Sequence, residues 1–330
     1  MRSARLALAL ETGALELPAT GDIAVFRPRA GDDLSALPKD RVAVVQGLRP
    51  DHDAFAALGY RVSSSTSGGC AAAMVCLPRS KEEARALVAE AAARVAPGGP
   101  VIVDGQKTDG IDAIHREVRA RVVTSEPVAK AHGKLFSFAA GPGFADWLPQ
   151  DRMIEGGFIT RPGVFSADAP DRGSALLAQA LPLKLPERIV DLGAGWGYLS
   201  RAILARDGVR HLDLVEAEAE ALACARRNIV DPRAAFHWCD ALAFKPERAP
   251  DAVVCNPPFH AARAADPGLG AAFIRASAAM LHPGGTLWLV ANRHLPYATV
   301  LAEAFREVEE IGVDSGFRLT RAARPTRLRR

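Results

Sequence analysis

The sequence lacks the features of membrane-spanning proteins and of zinc-binding modules. No uninterrupted apolar stretch approaches the roughly 20 residues that a membrane helix needs. The short run Leu6–Leu10 ends at Glu11, and no cleavage-site pattern follows it. We therefore expect a cytoplasmic protein that begins without a signal peptide. The five cysteines show no CxxC spacing, which argues against a structural zinc site and favours reduced, buried thiols.

The chain does contain enough apolar sequence for two hydrophobic cores. Its 330 residues are 49% hydrophobic, and this length suits two domains better than one. The formal net charge is +3, but from Phe317 onward there are six arginines and no acid: Arg318, Arg321, Arg324, Arg327, Arg329 and Arg330. Without them, 35 basic residues (41 − 6) face 38 acidic ones. Such a basic end suits contact with a polyanion, although a solubilising terminus has the same composition.

Strands and helices alternate through the second half of the sequence. The runs "RIVDL", "HLDLVEAE" and "DAVVC" predict buried strands, helical segments separate them, and "VEEIGVDSGFRLTRAA" predicts a closing antiparallel hairpin. This alternation needs crossover connections, so we expect a mostly parallel, doubly wound α/β sheet with helices on both faces. Asp171 and Ser174 are candidate N-caps of the helix before the first of these strands.

The first half repeats this order of elements. Val75–Ser80, "VCLPRS", stands opposite Val254–Phe259, "VCNPPF", and Leu77 then takes the place of Asn256. A Pro-Gly-Gly turn follows the next helix in both halves. We interpret the repeat as a duplication, with a degenerate domain at residues 1–155 and an active one at residues 156–330. Two unrelated α/β domains with similar patterning are the alternative.

A glycine-rich turn connects the first strand of the second half to its helix. In "VDLGAGWGYLS", Gly193, Gly195 and Gly197 alternate with other residues, and such glycines let a ligand approach the backbone. The spacing differs from the G-x-G-x-x-G of dinucleotide-binding folds. The carboxylate of Asp191 would repel a pyrophosphate but can pair with an ammonium group. The turn therefore favours a cofactor that carries an amino acid over NAD.

Two further acids follow predicted strands. Glu216 ends the second strand, at the place where an acid accepts hydrogen bonds from ribose hydroxyls in doubly wound folds. Its alternative role is that of an exposed acid at a helix start. Asp240 follows the third strand and either accepts from an adenine amino group or caps a loop.

The fourth strand ends abruptly in Asn256, Pro257, Pro258 and Phe259. The two prolines cannot continue a sheet ladder. They place an uncharged amide and an aromatic ring in a stiff turn at the end of the strand. His260 follows in the loop, and we assign it no role.

Together these motifs resemble the class I S-adenosylmethionine-dependent methyltransferases, over about Arg161–Arg330. The resemblance implies S-adenosylmethionine as cofactor, S-adenosylhomocysteine as product, no metal, and two tandem Rossmann-like domains of which the first is degenerate. The cofactor-binding residues that it implies are Asp191, Gly193, Ala194, Gly195, Gly197, Glu216, Ala217, Asp240, Ala241 and Asn256.

Members of this family that methylate amino groups on planar π systems carry an Asn/Asp-Pro-Pro-Tyr/Phe motif after the fourth strand. The resemblance implies catalytic roles for Asn256, Pro257, Pro258 and Phe259. An amine on a planar π system is a poor nucleophile, because its lone pair is delocalised into the ring. The Asn256 side-chain oxygen and the Pro257 carbonyl would each accept one amine hydrogen and so turn the lone pair out of the ring plane, toward the methyl group. Phe259 would stack on a flipped base, and the prolines would hold the loop in position for direct methyl transfer.

A closer resemblance is to the bacterial ribosomal RNA guanine-N2 methyltransferases, which pair an inactive N-terminal domain with an active C-terminal one. It rests on "RPGVFS", "NPPFH" and "HPGGTLWLVANRHLPY", and on a first half that repeats the order of elements but lacks the motif residues. It implies methylation of a guanine N2 in 16S ribosomal RNA, with ribosomal RNA or the small subunit as the partner and not a membrane. We expect a monomer, since a two-domain chain can act as one, although the sequence leaves the oligomeric state open. It also places Phe165 and Ser166 near the cofactor, and Asn292 and Arg293 at the end of the following strand.

Other targets of the same motif are 23S ribosomal RNA guanine N2, adenine N6 and protein glutamine. A protein of a different class, an RNA-binding pseudoenzyme, is disfavoured because both the glycine-rich turn and the Asn-Pro-Pro-Phe motif are intact. An oxidoreductase is disfavoured by the glycine spacing and by Asp191.

Overall fold

The structure, a computed structural model, describes residues 2–66, 68–258, 267–314 and 316–326. The chain divides into two units, Met1–Asp151 and Arg152–Arg330. The sequence had placed this division between Glu155 and Gly156.

The first unit is built on one mixed sheet. In the described part of the chain its strands are β1 (Ile23–Phe26), β2 (Val42–Val45), β3 (Arg61–Ser63), β4 (Ala72–Cys76), β5 (Pro100–Gln106), β6 (Val128–Lys130) and β7 (Gly133–Ala139). Its helices are α1 (Arg2–Glu11), α2 (Arg49–Ala57), α3 (Lys81–Arg94) and α4 (Ile111–Arg119). The strand order is β3-β2-β1-β4-β5-β7-β6.

The second unit begins with a two-stranded hairpin, β8 (Arg152–Ile154) and β9 (Phe158–Thr160). Its main sheet contains β10 (Arg188–Leu192), β11 (His211–Glu216), β12 (Ala234–Trp238), β13 (Ala252–Cys255), β14 (Thr286–Asn292), β15 (Phe305–Val313) and β16 (Phe317–Pro325). Its helices are α5 (Arg172–Ala180), α6 (Tyr198–Leu204), α7 (Ala219–Asn228), α8 (Pro267–Met280) and α9 (Ala298–Ala304). The strand order is β12-β11-β10-β13-β14-β16-β15.

The two main sheets have the same strand order, with β1 in the place of β10, β4 in that of β13 and β5 in that of β14. In each sheet the first five strands pair in parallel and the last two are antiparallel. The predicted mostly parallel α/β sheets and the closing hairpin are therefore confirmed.

The strands form because their apolar side chains are buried on both faces of the sheet. In β10 and β13 successive residues point to opposite faces. Ile189 and Val254 belong to the core on one face, whereas Val190 and Val253 belong to the core on the other. Strands covered on both faces are typical of parallel sheets between helix layers.

The helix at the start of the first unit is held by a buried ion-pair cluster that the sequence did not suggest. Arg5 of α1 is fully buried, and its Nε donates to Asp104 Oδ2 at 2.6 Å. Arg2 Nη1 donates to the other oxygen, Asp104 Oδ1, at 2.5 Å. Buried charges need such partners. Leu77, the counterpart of Asn256, is also buried in this unit, with 1% of its surface exposed.

Candidate functional site

The carboxyl ends of three neighbouring parallel strands meet at one edge of the second sheet. β10 pairs with both β11 and β13, so that Asp191 lies opposite Leu214 on one side and Val254 on the other. The glycine-rich turn, Glu216 and Asn256 lie at or directly after these three strand ends. Open α/β sheets bind ligands at this edge.

The three glycines of the turn all have positive φ angles: 83° at Gly193, 55° at Gly195 and 92° at Gly197. L-residues with side chains rarely adopt this conformation. A Cβ at Gly195 would meet no described atom within 4 Å, whereas one at Gly197 would lie 3.1 Å from Ile229 Cγ1. Gly195 therefore presents open backbone toward the cleft, and Gly197 is needed for close packing.

Asp191 is a fully buried carboxyl group at the end of β10. The Ser200 hydroxyl donates to its Oδ2 at 2.6 Å, but its Oδ1 is buried without a hydrogen-bond partner among the described residues. Burial raises the pKa of Asp191 to about 7, against an ordinary value of 3.8. An unpaired buried carboxylate oxygen is costly and fits a cationic donor.

Glu216 connects the end of β11 to the glycine-rich turn. Its Oε2 accepts from the Gly195 backbone N–H at 2.8 Å, and its Oε1 accepts from the Glu218 N–H at 2.7 Å. Burial raises the pKa of Glu216. Each carboxylate oxygen can accept a second hydrogen bond, so the group can still bind ribose hydroxyls.

Three other predicted cofactor residues, Asp240 and Ala241 after the third strand and Ala217 after the second, are not among the residues that line the cleft described below. Asp240 Oδ1 accepts from the Leu242 N–H at 2.9 Å, which is the loop-cap role given above as its alternative. Ala241 is buried, and the Ala217 carbonyl accepts from Trp238 Nε1 at 2.8 Å. Their roles in binding a cofactor stay predictions.

The amide of Asn256 is held firmly by the N-terminus of α5. Its Nδ2 donates to Asp171 Oδ2 and to Ser174 Oγ, both at 2.8 Å. Its Oδ1 is buried and has no hydrogen-bond partner among the described residues. The oxygen that the sequence analysis expected to accept an amine hydrogen is therefore available.

One cleft brings several of these groups together. It is lined by Phe165, Ser166, Asp171, Ser174, Gly193, Ala194, Gly195, Trp196, Tyr198, Leu199 and Asn256. Pro257 is buried and Pro258 is exposed. Phe259 and His260 lie outside the described residues. Asn292 and Arg293 are placed at the end of β14 and just after it, and they do not line this cleft.

Sequence reasoning missed the side chains that hold the site together. Asp171 and Ser174 were expected only as helix caps, and Ser200 was not considered. The Phe165–Ser166 segment is held because its Phe165 carbonyl accepts from Trp196 Nε1 at 2.8 Å. Phe165 as a residue is 62% exposed, and Ser166 has a φ of 52°. The motif "RPGVFS" was the available signal for this segment.

The described ranges contain no group of three or more His, Cys, Asp or Glu side chains that could hold a metal ion. None of the helices within those ranges combines the length and the apolar character of a membrane span.

The basic C-terminal segment is less free than its composition suggests. Strand β16 carries three of its arginines, and each pairs with a glutamate of the antiparallel neighbour β15. These ion pairs are Arg318–Glu310, Arg321–Glu309 and Arg324–Glu307. Arg327, Arg329 and Arg330 lie outside the described residues. Counting charge from Phe317 onward omitted the acids that the hairpin brings alongside, so neighbouring glutamates offset the positive charge of these three arginines.

Comparison with known proteins identifies the family. The family model of the methyltransferase small domain matches residues 155–321, slightly more than half of the chain. The chain belongs to this family. The ribosomal RNA small subunit methyltransferase C of Shewanella amazonensis is 30% identical over 258 residues, which span 74% of this chain and 75% of the relative. The ribosomal RNA large subunit methyltransferase G of Streptomyces avermitilis is 30% identical over 259 residues, 72% and 68% of the two chains.

A solved structure shows the same fold as this methyltransferase over nearly its whole length. The T. thermophilus 16S rRNA N2 G1207 methyltransferase (RsmC), in complex with AdoMet and guanosine, matches with a TM-score of 0.79 at 24% identity. The match covers 97% of this chain and 91% of the other. The two-domain, Rossmann-like methyltransferase fold is thereby confirmed.

Membership of the family confirms the predicted enzyme class and, with it, S-adenosylmethionine as the cofactor. The residues present fit this cofactor. The unpaired Oδ1 of Asp191 suits its ammonium group, the open backbone at Gly195 leaves room for it, and Glu216 offers a carboxylate.

Proposed function

We propose that this methyltransferase acts on the exocyclic N2 of a guanine in ribosomal RNA, and specifically in the 16S RNA of the small subunit. The names of the relatives support ribosomal RNA as the substrate class, and relatives named for the small subunit include several at 28–34% identity. The same names support ribosomal RNA or the small subunit as the partner, and we further propose that the protein is a cytoplasmic monomer.

The observation that carries the proposal is that the side-chain oxygen of Asn256 has no hydrogen-bond partner within the described part of the chain. Its amide nitrogen is occupied by Asp171 and Ser174, so Oδ1 is the group left to accept a hydrogen bond. An aromatic amine offers N–H donors but keeps its lone pair delocalised in the ring. Accepting one N–H at Oδ1 aligns the amine and favours a nitrogen whose lone pair points out of the ring plane.

The remaining residues bind and orient. Asp191 would hold the cofactor ammonium, Glu216 its ribose, and the glycine-rich turn would bring the backbone close to it. Bound S-adenosylmethionine supplies a methyl group on a cationic sulfur, so the chain needs no ionised base to activate the amine. The Pro257 carbonyl would accept the second amine hydrogen, and Phe259 would stack on the base. Orientation by such fixed groups accounts for much of the rate of a bimolecular transfer.

We also propose that residues 1–155 position RNA and support the catalytic unit without catalysing transfer. The support for this is the loss of the amide acceptor: Leu77 stands where Asn256 stands in the second unit, and it is buried in the core. If the first unit positions RNA, replacing basic side chains on its surface by neutral ones should weaken RNA binding. The affinity for S-adenosylmethionine should stay unchanged.

The test is transfer of a radiolabelled methyl group to purified small subunits, large subunits and the free RNAs, followed by nucleoside analysis. We expect N2-methylguanosine in small-subunit RNA. Adenine N6 and glutamine amides offer similar N–H donors, so N6-methyladenosine or labelled protein would overturn the proposed target. N2-methylguanosine in large-subunit RNA alone would reassign the subunit.

A further inference from the structure

The N-terminus of α5 fixes the orientation of Asn256. Both hydrogens of the Asn256 amide have an acceptor, Asp171 Oδ2 for one and Ser174 Oγ for the other, each at 2.8 Å from Nδ2. Asp171 and Ser174 both line the cleft with Asn256. A flipped amide would place Oδ1 against the carboxylate, and two acceptors repel.

We propose that Asp171 is a positioning residue, assisted by Ser174, that keeps Asn256 Oδ1 directed at the incoming amine. This inference rests on the proposed role of Asn256 in the reaction. With Oδ1 fixed as the acceptor, the site selects an N–H edge of the substrate and rejects a carbonyl edge. A hydrogen bond to an ionised carboxylate is stronger than one to a neutral group, so Asp171 contributes more to this orientation than Ser174.

One carboxylate oxygen serves two purposes in this arrangement. Asp171 Oδ2 also accepts from the Ser174 backbone N–H at 2.8 Å and so caps α5. The cap fixes the position of Asp171, and Asp171 fixes the amide, so the start of α5 and the end of β13 are coupled through a single atom.

The first unit shows what occupies the same places when the amide is absent. The helix before its first strand, α1, carries Arg2 and Arg5, and both donate to Asp104 of β5. Leu77 follows β4 where Asn256 follows β13. The amide at the strand end is thus missing from the unit that we propose to be inactive.

Three substitutions separate positioning from capping. Serine caps helices about as well as aspartate, but its hydroxyl is too short to bind both Ser174 N and Asn256. Asp171→Ser should therefore leave the melting temperature almost unchanged and lower kcat roughly 10- to 100-fold, the range expected for one hydrogen bond to a charged group. Asp171→Asn retains an oxygen that can accept both bonds, and it should restore most of kcat. Ser174→Ala keeps the cap, which uses its backbone N–H, and should lower kcat less.

The matched control is Ser80→Ala in the first unit. Ser80 Oγ caps α3 by accepting from the Glu83 N–H at 3.3 Å, and it lies outside the proposed site. Its loss should lower the melting temperature and leave kcat unchanged. S-adenosylmethionine affinity, measured by calorimetry on every variant, should change much less than kcat does, since the side chains of Asp171 and Ser174 hydrogen-bond to Asn256 and, among the described residues, not to the glycine-rich turn.

Normal kcat in Asp171→Ser, or an equal loss of kcat in Ser80→Ala, would overturn the inference. Asn256→Ala distinguishes this failure from failure of the proposed function. If Asn256→Ala retains turnover, the role of Asn256 itself is wrong. If it loses turnover while Asp171→Ser does not, the role of Asp171 alone is wrong.

Discussion

Asp191 should make the stability of the cofactor-free protein fall as pH rises. Its carboxyl group is fully buried, with one oxygen bound by the Ser200 hydroxyl and the other unpaired among the described residues. Burial raises the pKa of Asp191 from 3.8 to about 7. A group whose pKa is higher in the folded than in the unfolded state contributes stability below the unfolded pKa and loses it as pH rises through the folded pKa.

The size of this effect follows from the pKa shift. A shift of about 3 pKa units at roughly 1.4 kcal/mol per unit corresponds to about 4 kcal/mol over the full titration. About 2 to 3 kcal/mol of that should be lost between pH 5 and pH 8, where the folded group titrates and the unfolded one is already ionised. Ionising the buried carboxyl is therefore unfavourable until a cation pairs with it.

Asp191→Asn removes the charge and keeps a side-chain oxygen for Ser200. The assay is urea unfolding of the cofactor-free protein and the variant at steps from pH 5 to pH 8. We expect the free energy of unfolding of the variant to rise relative to that of the unsubstituted protein as pH rises. Parallel pH dependences of the two proteins would refute the reasoning. At pH 8, S-adenosylmethionine should stabilise the unsubstituted protein more than the variant, because the stabilisation by a ligand grows with the logarithm of its concentration divided by its Kd.

Three further predictions concern single residues. Burial acts to raise the pKa of Asp213, but hydrogen bonds from His237 and His211 outweigh it and lower this pKa. The carboxylate therefore stabilises the fold above its unfolded pKa and loses this effect as pH falls through its folded pKa. In Asp213→Asn the free energy of unfolding should fall less steeply at acidic pH, and an unchanged pH dependence would contradict this. Gly197→Ala, at a φ of 92°, should cost about 1 to 3 kcal/mol in urea unfolding, and equal stability would exclude the strain. Leu77→Asn should destabilise the protein by about 1 to 3 kcal/mol without adding methyl transfer, and a gain of activity would oppose a degenerate first unit.

The sheet, the glycine-rich turn and the strand-end motif were predictable because each depends on local sequence. Periodicity and strand–helix alternation define a parallel sheet, and a parallel sheet gathers its carboxyl ends at one edge. The positions of Asp191, Gly195, Glu216 and Asn256 follow from that rule.

The contacts that hold the site were not predictable because their partners are distant in sequence. Asp171 and Asn256 are 85 positions apart, and local sequence indicated only that Asp171 is a candidate helix N-cap. Arg5 and Asp104, 99 positions apart, are a second case. Such pairs depend on how the helices pack on the sheet. Hydrophobic periodicity predicts which face of a helix is buried, but not which residues of the sheet it contacts.

The C-terminal arginines show a different kind of error. The sequence predicted the hairpin correctly, and its first strand contains Glu307, Glu309 and Glu310, whose side chains form ion pairs with the arginines of the second strand. A charge count over one stretch of sequence includes only the residues of that stretch. Antiparallel pairing of the two strands brings glutamates from an earlier stretch next to the arginines. Exposed ion pairs of this kind contribute little stability, but they reduce the positive electrostatic field of the segment.

The central claim is that Asn256 Oδ1 accepts a hydrogen from the target amine. Its most direct test is single-turnover methyl transfer by Asn256→Ala to the RNA that the unsubstituted protein modifies, with S-adenosylmethionine affinity measured on the same samples. Loss of a fixed hydrogen-bonding group in an active site typically costs about a hundredfold to a thousandfold in rate. We predict a loss of that size with cofactor affinity retained. A transfer rate equal to that of the unsubstituted protein would contradict the account.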